Sequence, residues 1–314
     1  AGRGWRGAGV VVQALAAVAL LALTAMRAAD YRQVVHQPPL GFAPDHLLTY
    51  RIDIRGPKYD DVQAVRDLVR KYVEQLPRVP GVAALALANP TIPTDGWAGT
   101  YISVEGHPSD SPQGTFTSMV HSVTADYFAV LGIPLLAGRS FGPREWMPGS
   151  VVVSRATADK YWPGQSALGK RIKNGKVTAT DPWMTVIGVA AEVRHEGIGA
   201  DPRPAPDVYF PLTQFPMRLP LTVNFLIRPG PGAATADLVS ALRRQMGAIS
   251  PDLPIFDVAT MSERLDRQIR KVRFPAVLAG LFAAMAAVLT GAGLYGRSLW
   301  RAEVVAPRRR AEAA

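Results

Sequence analysis

Hydrophobic and polar positions repeat one grammar at two places in this chain. Leu48, Tyr50, Ile52 and Ile54 alternate with Thr49, Arg51 and Asp53, the period of a half-buried strand. Asp60 and Asp61 stand where an N-cap belongs. Val62, Val65, Val69, Tyr72 and Leu76 follow at spacings of 3, 4, 3 and 4, which predicts an amphipathic helix. Pro77, Pro80 and Gly81 stop it, and Val82 to Ala88 reads as a short buried strand. Later, Leu221, Val223, Phe225 and Ile227 alternate with Thr222, Asn224 and Arg228, and Pro229-Gly230-Pro231-Gly232 makes a turn. Leu238, Leu242, Met246 and Ile249 form a helix face, and Ile255 to Val258 a strand. The elements start near 48, 61 and 82 in the first block and near 221, 234 and 254 in the second. Two βαβ units of one architecture sharing a sheet predict an α+β fold with a ferredoxin-like base.

Between them, roughly 106 to 205, the pattern predicts an inserted, mostly-β lobe. It opens with a polar loop, Gly106 to Gly114. Thr124 to Phe128 reads as a short capped helix. Val151 to Val153 is a strand, and Ser154 caps a helix through Trp162 that Pro163-Gly164 ends. Met184 to Val189 is a buried strand, and Asp201-Pro202-Arg203-Pro204 a stiff connector.

Two long apolar runs flank this globular part. Phe274 to Gly296 holds 23 residues without a charge, which as a helix is roughly 34 Å long and crosses a bilayer core of about 30 Å. Thr260 to Glu263 fits a capping box, and Leu265, Ile269 and Val272 continue as a helix face, so this helix starts outside the membrane. Pro275 removes one backbone bond near the membrane entrance. Ala8 to Met26 is the second run, 19 residues broken by Gln13 and Thr24. A secretory signal peptide is its rival reading; the run exceeds the usual apolar length of about 7–15 residues, and no clean cleavage site precedes Arg27. Its Ala and Gly content suits close helix packing. The expected organisation is thus a transmembrane helix at 1–29, a globular domain at 30–259, an amphipathic lead-in with a second membrane helix at 260–296, and a basic, disordered tail at 297–314. The globular domain divides into a base, 45–105 with 206–259, and a lobe, 106–205.

Composition adjusts this picture in two ways. The net charge of +10 concentrates beside the apolar runs, which favours anionic lipid over nucleic acid as the partner. The chain has no cysteine, so disulfides, Fe–S clusters and thiolate zinc sites are excluded. Five Lys/Arg lie in the fifteen residues before Phe274 and five in the eighteen after Gly296, so charge alone does not orient the helix.

No recognisable site chemistry emerges: no catalytic, cofactor-binding or metal residue is assigned, and no cofactor is expected. Gly164 to Arg171 matches G-x-x-x-x-G-K but puts Arg171 where a P-loop needs the hydroxyl that holds Mg²⁺, and a helix rather than a strand precedes it. It is not read as an ATP site. His195-Glu196 lacks the second zinc histidine, since position 199 is Gly. His36, His46, His107, His121 and His195 are scattered without ligand spacing and read as surface or satisfied polar groups. Ser166 lacks the final Gly of a nucleophile elbow. Asp30, Tyr31 and Arg32 are read as a membrane-interface marker. Neither apolar run carries an Asp, Glu, Lys, Arg or His, which argues against an ion-coupled transporter.

Several segments resemble a known family. Thr124-Ala125-Asp126-Tyr127-Phe128 through Leu131-Gly132-Ile133-Pro134-Leu135-Leu136-Ala137-Gly138-Arg139-Ser140-Phe141 is similar to the DYF-x-x-LGIPLLxGRxF segment of the MacB-type periplasmic core domain. Val152-Val153-Ser154, Tyr161-Trp162-Pro163-Gly164 and Leu168-Gly169-Lys170-Arg171-Ile172 resemble its VVxNE, FWPG and PLGKRI elements. Val186 to Val189, Val193-Arg194-His195 and Pro206 to Pro211 resemble its VVGVVxDVRH and PEVYxP. The permeases of acidobacterial type, which carry such domains in duplicate, are the nearest in look.

The resemblance implies an ABC transporter permease of the MacB/FtsX type in the bacterial inner membrane, multi-pass, with residues of about 30–270 outside the cytoplasm. It implies a separate ABC ATPase chain as partner, together with other permease helices or a second copy of the chain. The family continues past the second helix into a coupling segment and further helices, whereas here a basic tail follows, so the chain is expected to be truncated after that helix. The implied function is non-catalytic: the outer domain transmits ATPase-driven motion to a substrate or envelope partner. The alternative is a doubly anchored extracytoplasmic scaffold without transport.

Overall fold

The alternation of Leu48, Tyr50, Ile52 and Ile54 produces strand β1 (Leu48–Ile54), whose apolar side faces two helices. In this computed structural model, residues 15–16, 18–29, 40–89, 92–93, 99–107, 116–142, 149–176, 181–195, 206–212 and 221–300 are described. The chain divides into one unit of residues 1–37 with 267–314 and another of 38–266.

In the larger unit, Asp61 caps helix α2 (Val62–Gln75) by accepting the Gln63 N–H at 3.1 Å, as the sequence predicts. Strand β2 (Val82–Asn89) follows. The second block yields β10 (Leu221–Pro229), α5 (Thr235–Ile249) and β11 (Phe256–Thr260), the last starting a residue later than the pattern suggests. These strands are neighbours in the order β11-β1-β10-β2, all antiparallel. Both helices cover one face. There Val65, Val69, Tyr72, Leu238, Leu242 and Met246 pack on Tyr50, Ile52, Val223 and Phe225. Tyr50 and Phe225 stack at 4.5 Å, and Tyr72 meets Phe225 edge-on at 5.3 Å. Each such fully buried side chain stabilises by about 1.5–3 kcal/mol.

The other face is covered too, which alternation alone does not predict. Thr49 and Asn224, polar positions of a strand expected to be half-wet, have no exposed surface. Each donates to a backbone carbonyl inside: Thr49 Oγ1 to Ala259 O at 2.8 Å and Asn224 Nδ2 to Ala88 O at 3.2 Å. The cover comes from Phe42, Leu47, Tyr127, Phe128, Val130 and Leu131.

The middle of the chain supplies β3 (Gly99–Val104), β4 (Phe116–Val123), α3 (Tyr127–Leu131), β5 (Leu135–Gly138), β6 (Ser150–Ser154), α4 (Arg155–Tyr161), β7 (Arg171–Asn174), β8 (Met184–Ala190) and β9 (Asp207–Pro211). Pairing runs β4-β3-β7-β8-β6-β9, and a parallel β4–β9 ladder joins the ends, so six strands close on themselves. Ile102, Val120, Val151, Val153, Ile172, Val186, Val208 and Phe210 form the enclosed core, with Tyr161 and Trp162 against it. β3 and β9, allotted to the base on the sequence, hydrogen-bond within this ring instead. Among the described residues, β2 and β4 link the ring to the first sheet through two ladder pairs, Ala88↔Val123 and Asn89↔Ser122.

Local chemistry departs from expectation at one helix. α3 begins at Tyr127, and Thr124 does not cap it: its Oγ1 accepts the Leu87 N–H at 2.9 Å and so ties the chain to β2. Gly132, at φ 67°, ends α3 in the left-handed conformation a side chain resists. Ser154 caps α4 by accepting the Thr157 N–H at 3.3 Å, as predicted. The polar loop after Gly106 and the connector at Asp201–Pro204 lie largely or wholly outside the described residues.

The smaller unit contains an apolar helix, α1 (Val18–Ala29), and most of α6 (Met261–Trp300). Within α6, Met261–Gly293 is long and apolar enough to cross a membrane. Phe274, Val277, Leu281, Met285, Val288 and Leu289 are exposed along it, whereas Ala279 and Ala283 are buried. Thr24 Oγ1 bonds Leu20 O at 2.8 Å and lies 3.0 Å from Ala279 O, so small residues mark where the two helices approach.

Candidate functional site

The beginning of α6 is where the most side-chain chemistry converges on one element. Thr260 and Glu263 form the predicted capping box: the Thr260 N–H reaches Glu263 Oε2 at 2.9 Å, and the Glu263 N–H reaches Thr260 Oγ1 at 3.2 Å. The Met261 N–H donates to Leu47 O at 2.8 Å. Met261 and Leu265 enter the same apolar cluster as Tyr127, Phe128, Tyr209 and Leu226.

Arg264 fastens this turn to the sheet. Its side chain is 6% exposed. Nε donates to Thr49 Oγ1 at 2.6 Å, one Nη to Asp257 Oδ2 at 2.8 Å and the other to Asp257 O at 2.7 Å. Arg51 Nε stands 3.3 Å from the same carboxylate. Asp257 has φ 50°, rare for a residue with a side chain, and the guanidinium holds its side chain and carbonyl together. One planar cation thus binds β1, β11 and the helix. Sequence reading found the capping box but missed Arg264, which looked like one of several juxtamembrane cations.

A second convergence lies between β4, β9 and the segment after β8. His121 and His195 stack with ring centroids 3.6 Å apart. His121 Nε2 is 3.1 Å from Asp207 Oδ1, and His195 Nε2 is 2.9 Å from the Tyr209 hydroxyl. All four residues are buried. Burial, and then the neighbouring His121, holds His195 well below the ordinary histidine pKa, so it is neutral. Burial likewise raises Tyr209 and Tyr127. Nearby, Glu192 accepts the Ala156 N–H at the start of α4; burial raises its carboxyl to about 7.

The structure therefore corrects the reading of the histidines as scattered. His121 and His195, 74 positions apart, share one buried cluster (195 − 121 = 74). His46 is exposed at φ 54° and His107 packs edge-on to Tyr161 and Trp162. His36, Glu196, and Asp30, Tyr31 and Arg32 lie outside the described residues. Ser166 is exposed and accepts the Leu168 N–H. The Gly164–Arg171 loop runs from helix α4 into strand β7. Its Gly169 N–H donates to Val186 O at 2.9 Å, its Lys170 N–H donates to Ala167 O, and Lys170 O accepts from Val186. Arg171 is paired with Glu105.

The segments that carry His121, His195, Asp207 and Tyr209 lie within the reach of a single family model. A family model described as the MacB-like periplasmic core domain matches residues 10–245. The chain belongs to that family. Most of its length is thereby a MacB-like periplasmic core domain. Among solved structures, the periplasmic region of MacB from Actinobacillus actinomycetemcomitans is similar at 12% identity and a TM-score of 0.48, over 73% of this chain and 94% of that one. The extracellular domain of the noncanonic ABC-type transporter YknZ from Gram-positive bacteria is similar at 13% identity and a TM-score of 0.40, over 67% and 100%. No curated protein matches the chain. In this MacB-like domain the DYF-to-GRSF segment forms α3 and β5, and the VRH and PDVYFP segments carry His195, Asp207 and Tyr209.

Proposed function

We propose that this chain is a non-catalytic permease component. Its outer domain passes ATPase-driven movement from the membrane helices to a substrate or an envelope partner. The observation that carries the reading is the start of α6. A helix capped, buried and clamped by Arg264 in the domain continues in sequence into an apolar stretch of membrane-crossing length. A flexible tether needs no such clamp.

In this reading β11-β1-β10-β2 with α2 and α5 is a ferredoxin-like base, strands β3 to β9 are the lobe, and α1 and α6 are both membrane helices. The domain then lies outside the cytoplasm, and a separate ABC ATPase supplies the energy. The Gly164–Arg171 loop does not take part in ATP chemistry: it joins helix to strand and spends its amides on the domain's own carbonyls.

Affinity capture of the full chain from its own membranes tests the proposal. An ABC ATPase is expected in the captured complex, with hydrolysis that changes when Arg264→Ala replaces the native chain. Capture with no ATPase and no other permease chain overturns it and leaves the anchored scaffold.

A further inference from the structure

The cluster of His121, His195 and Asp207 plays no part in the transmission proposed above, and its geometry has a use of its own. Two imidazoles and a carboxylate each offer a ligand atom, and these atoms lie within 4.8 Å of one another. All three residues are at most 2% exposed. They come from parallel-paired strands β4 and β9 and from the segment that leaves β8, so the backbone beneath them is held by the closed sheet. We propose that these three side chains bind a divalent transition-metal ion of the zinc type, taken up as the lobe folds.

Two imidazole nitrogens and one carboxylate oxygen are a donor set such ions accept. For bonds of about 2.0–2.2 Å, ligands of a tetrahedral ion stand about 3.3–3.6 Å apart. His121 Nε2 and Asp207 Oδ1 are already 3.1 Å apart, so the ion replaces the proton between them with little movement. His195 Nδ1 has no hydrogen-bond partner, while its Nε2 faces the Tyr209 hydroxyl at 2.9 Å. That is the arrangement of a ligating histidine. One nitrogen offers its lone pair, and the other donates to a neighbour that fixes the ring. The two rings are 24° from parallel, and binding requires them to splay so that their lone pairs converge. One water kept from the aqueous ion would complete the tetrahedron, and the enclosed ion would add folding stability to the lobe beside α3 and β9. The aqueous metal ion enters and sheds water to the three ligand atoms, the proton between His121 Nε2 and Asp207 Oδ1 passes to His121 Nδ1, and no oxidation or reduction occurs.

The test expresses the full chain, with a non-histidine affinity tag, in cultures supplemented with zinc or with cobalt. The chain is purified in detergent through a chelating wash. The expected result is about one metal ion retained per chain and, for cobalt, the intense visible bands of a tetrahedral site with nitrogen ligands. His195→Gln and Asp207→Asn should each lower retention at least tenfold, whereas His46→Gln and His107→Gln should leave it unchanged. The wild-type cobalt spectrum decides even if the first two variants do not fold. Less than a tenth of an equivalent in the wild type, octahedral cobalt bands, or retention that survives both ligand variants overturns the proposal and leaves a stacked histidine pair.

Discussion

Glu192 shows how one carboxyl sets a pH dependence. Burial raises it to about 7, opposed by the Ala156 N–H it accepts and reinforced by Asp207 and Asp159. A group whose folded-state pKa is raised stabilises the protonated fold. Its contribution is full below the unfolded value of about 4.5 and is lost as pH rises through about 7. Melting of the full chain in detergent should therefore show a midpoint that falls between pH 5 and pH 8. Glu192→Gln should flatten the fall, and an unchanged slope in the variant would remove this assignment. Gly188 illustrates a steric constraint of another kind: a Cβ there would meet Arg139 O at 2.3 Å, where β5 crosses β8. Gly188→Ala should destabilise by about 1–3 kcal/mol in denaturant unfolding. The glycine was visible in the sequence, but its close neighbour was not, because 49 positions separate them (188 − 139 = 49). The histidine pair escaped for the same reason. Ligand spacing is a local signal, and this cluster is assembled by strand pairing.

Among the elements, those with a local cause were readable. β1, α2, β10 and α5 follow from period and caps, and the capping box of α6 from Thr260 and Glu263. Thr260→Ala should cost about 1 kcal/mol and raise amide exchange in the first turn of α6 before any other helix responds. Equal exchange in both proteins would show that the cap is idle. What the pattern could not supply was non-local: the β4–β9 ladder that closes the lobe, and the cover over the second face of β1 and β10. Thr49 and Asn224 look like solvent-facing positions until α3 and the segment before β1 are laid over them. Arg264 belongs here as well, since its role depends on β1 and β11 being adjacent.

At the scale of the molecule, two sheet regions share two ladder pairs through β2 and β4 among the described residues, while an apolar cluster including Phe128, Tyr209, Met261 and Leu265 lies against both. On the proposed reading, a narrow ladder beside the start of α6 is a suitable place for movement between base and lobe. The absence of cysteine makes this directly measurable, because labels enter only where they are placed. Tyr101 on the lobe and Ser240 on α5 are both exposed. With Tyr101→Cys and Ser240→Cys spin-labelled in the membrane-embedded complex, the distance distribution between them should shift when ATP is bound and return after hydrolysis. In Arg264→Ala that shift should be lost while ATP is still consumed. A distribution identical in every nucleotide state would contradict transmission through this domain.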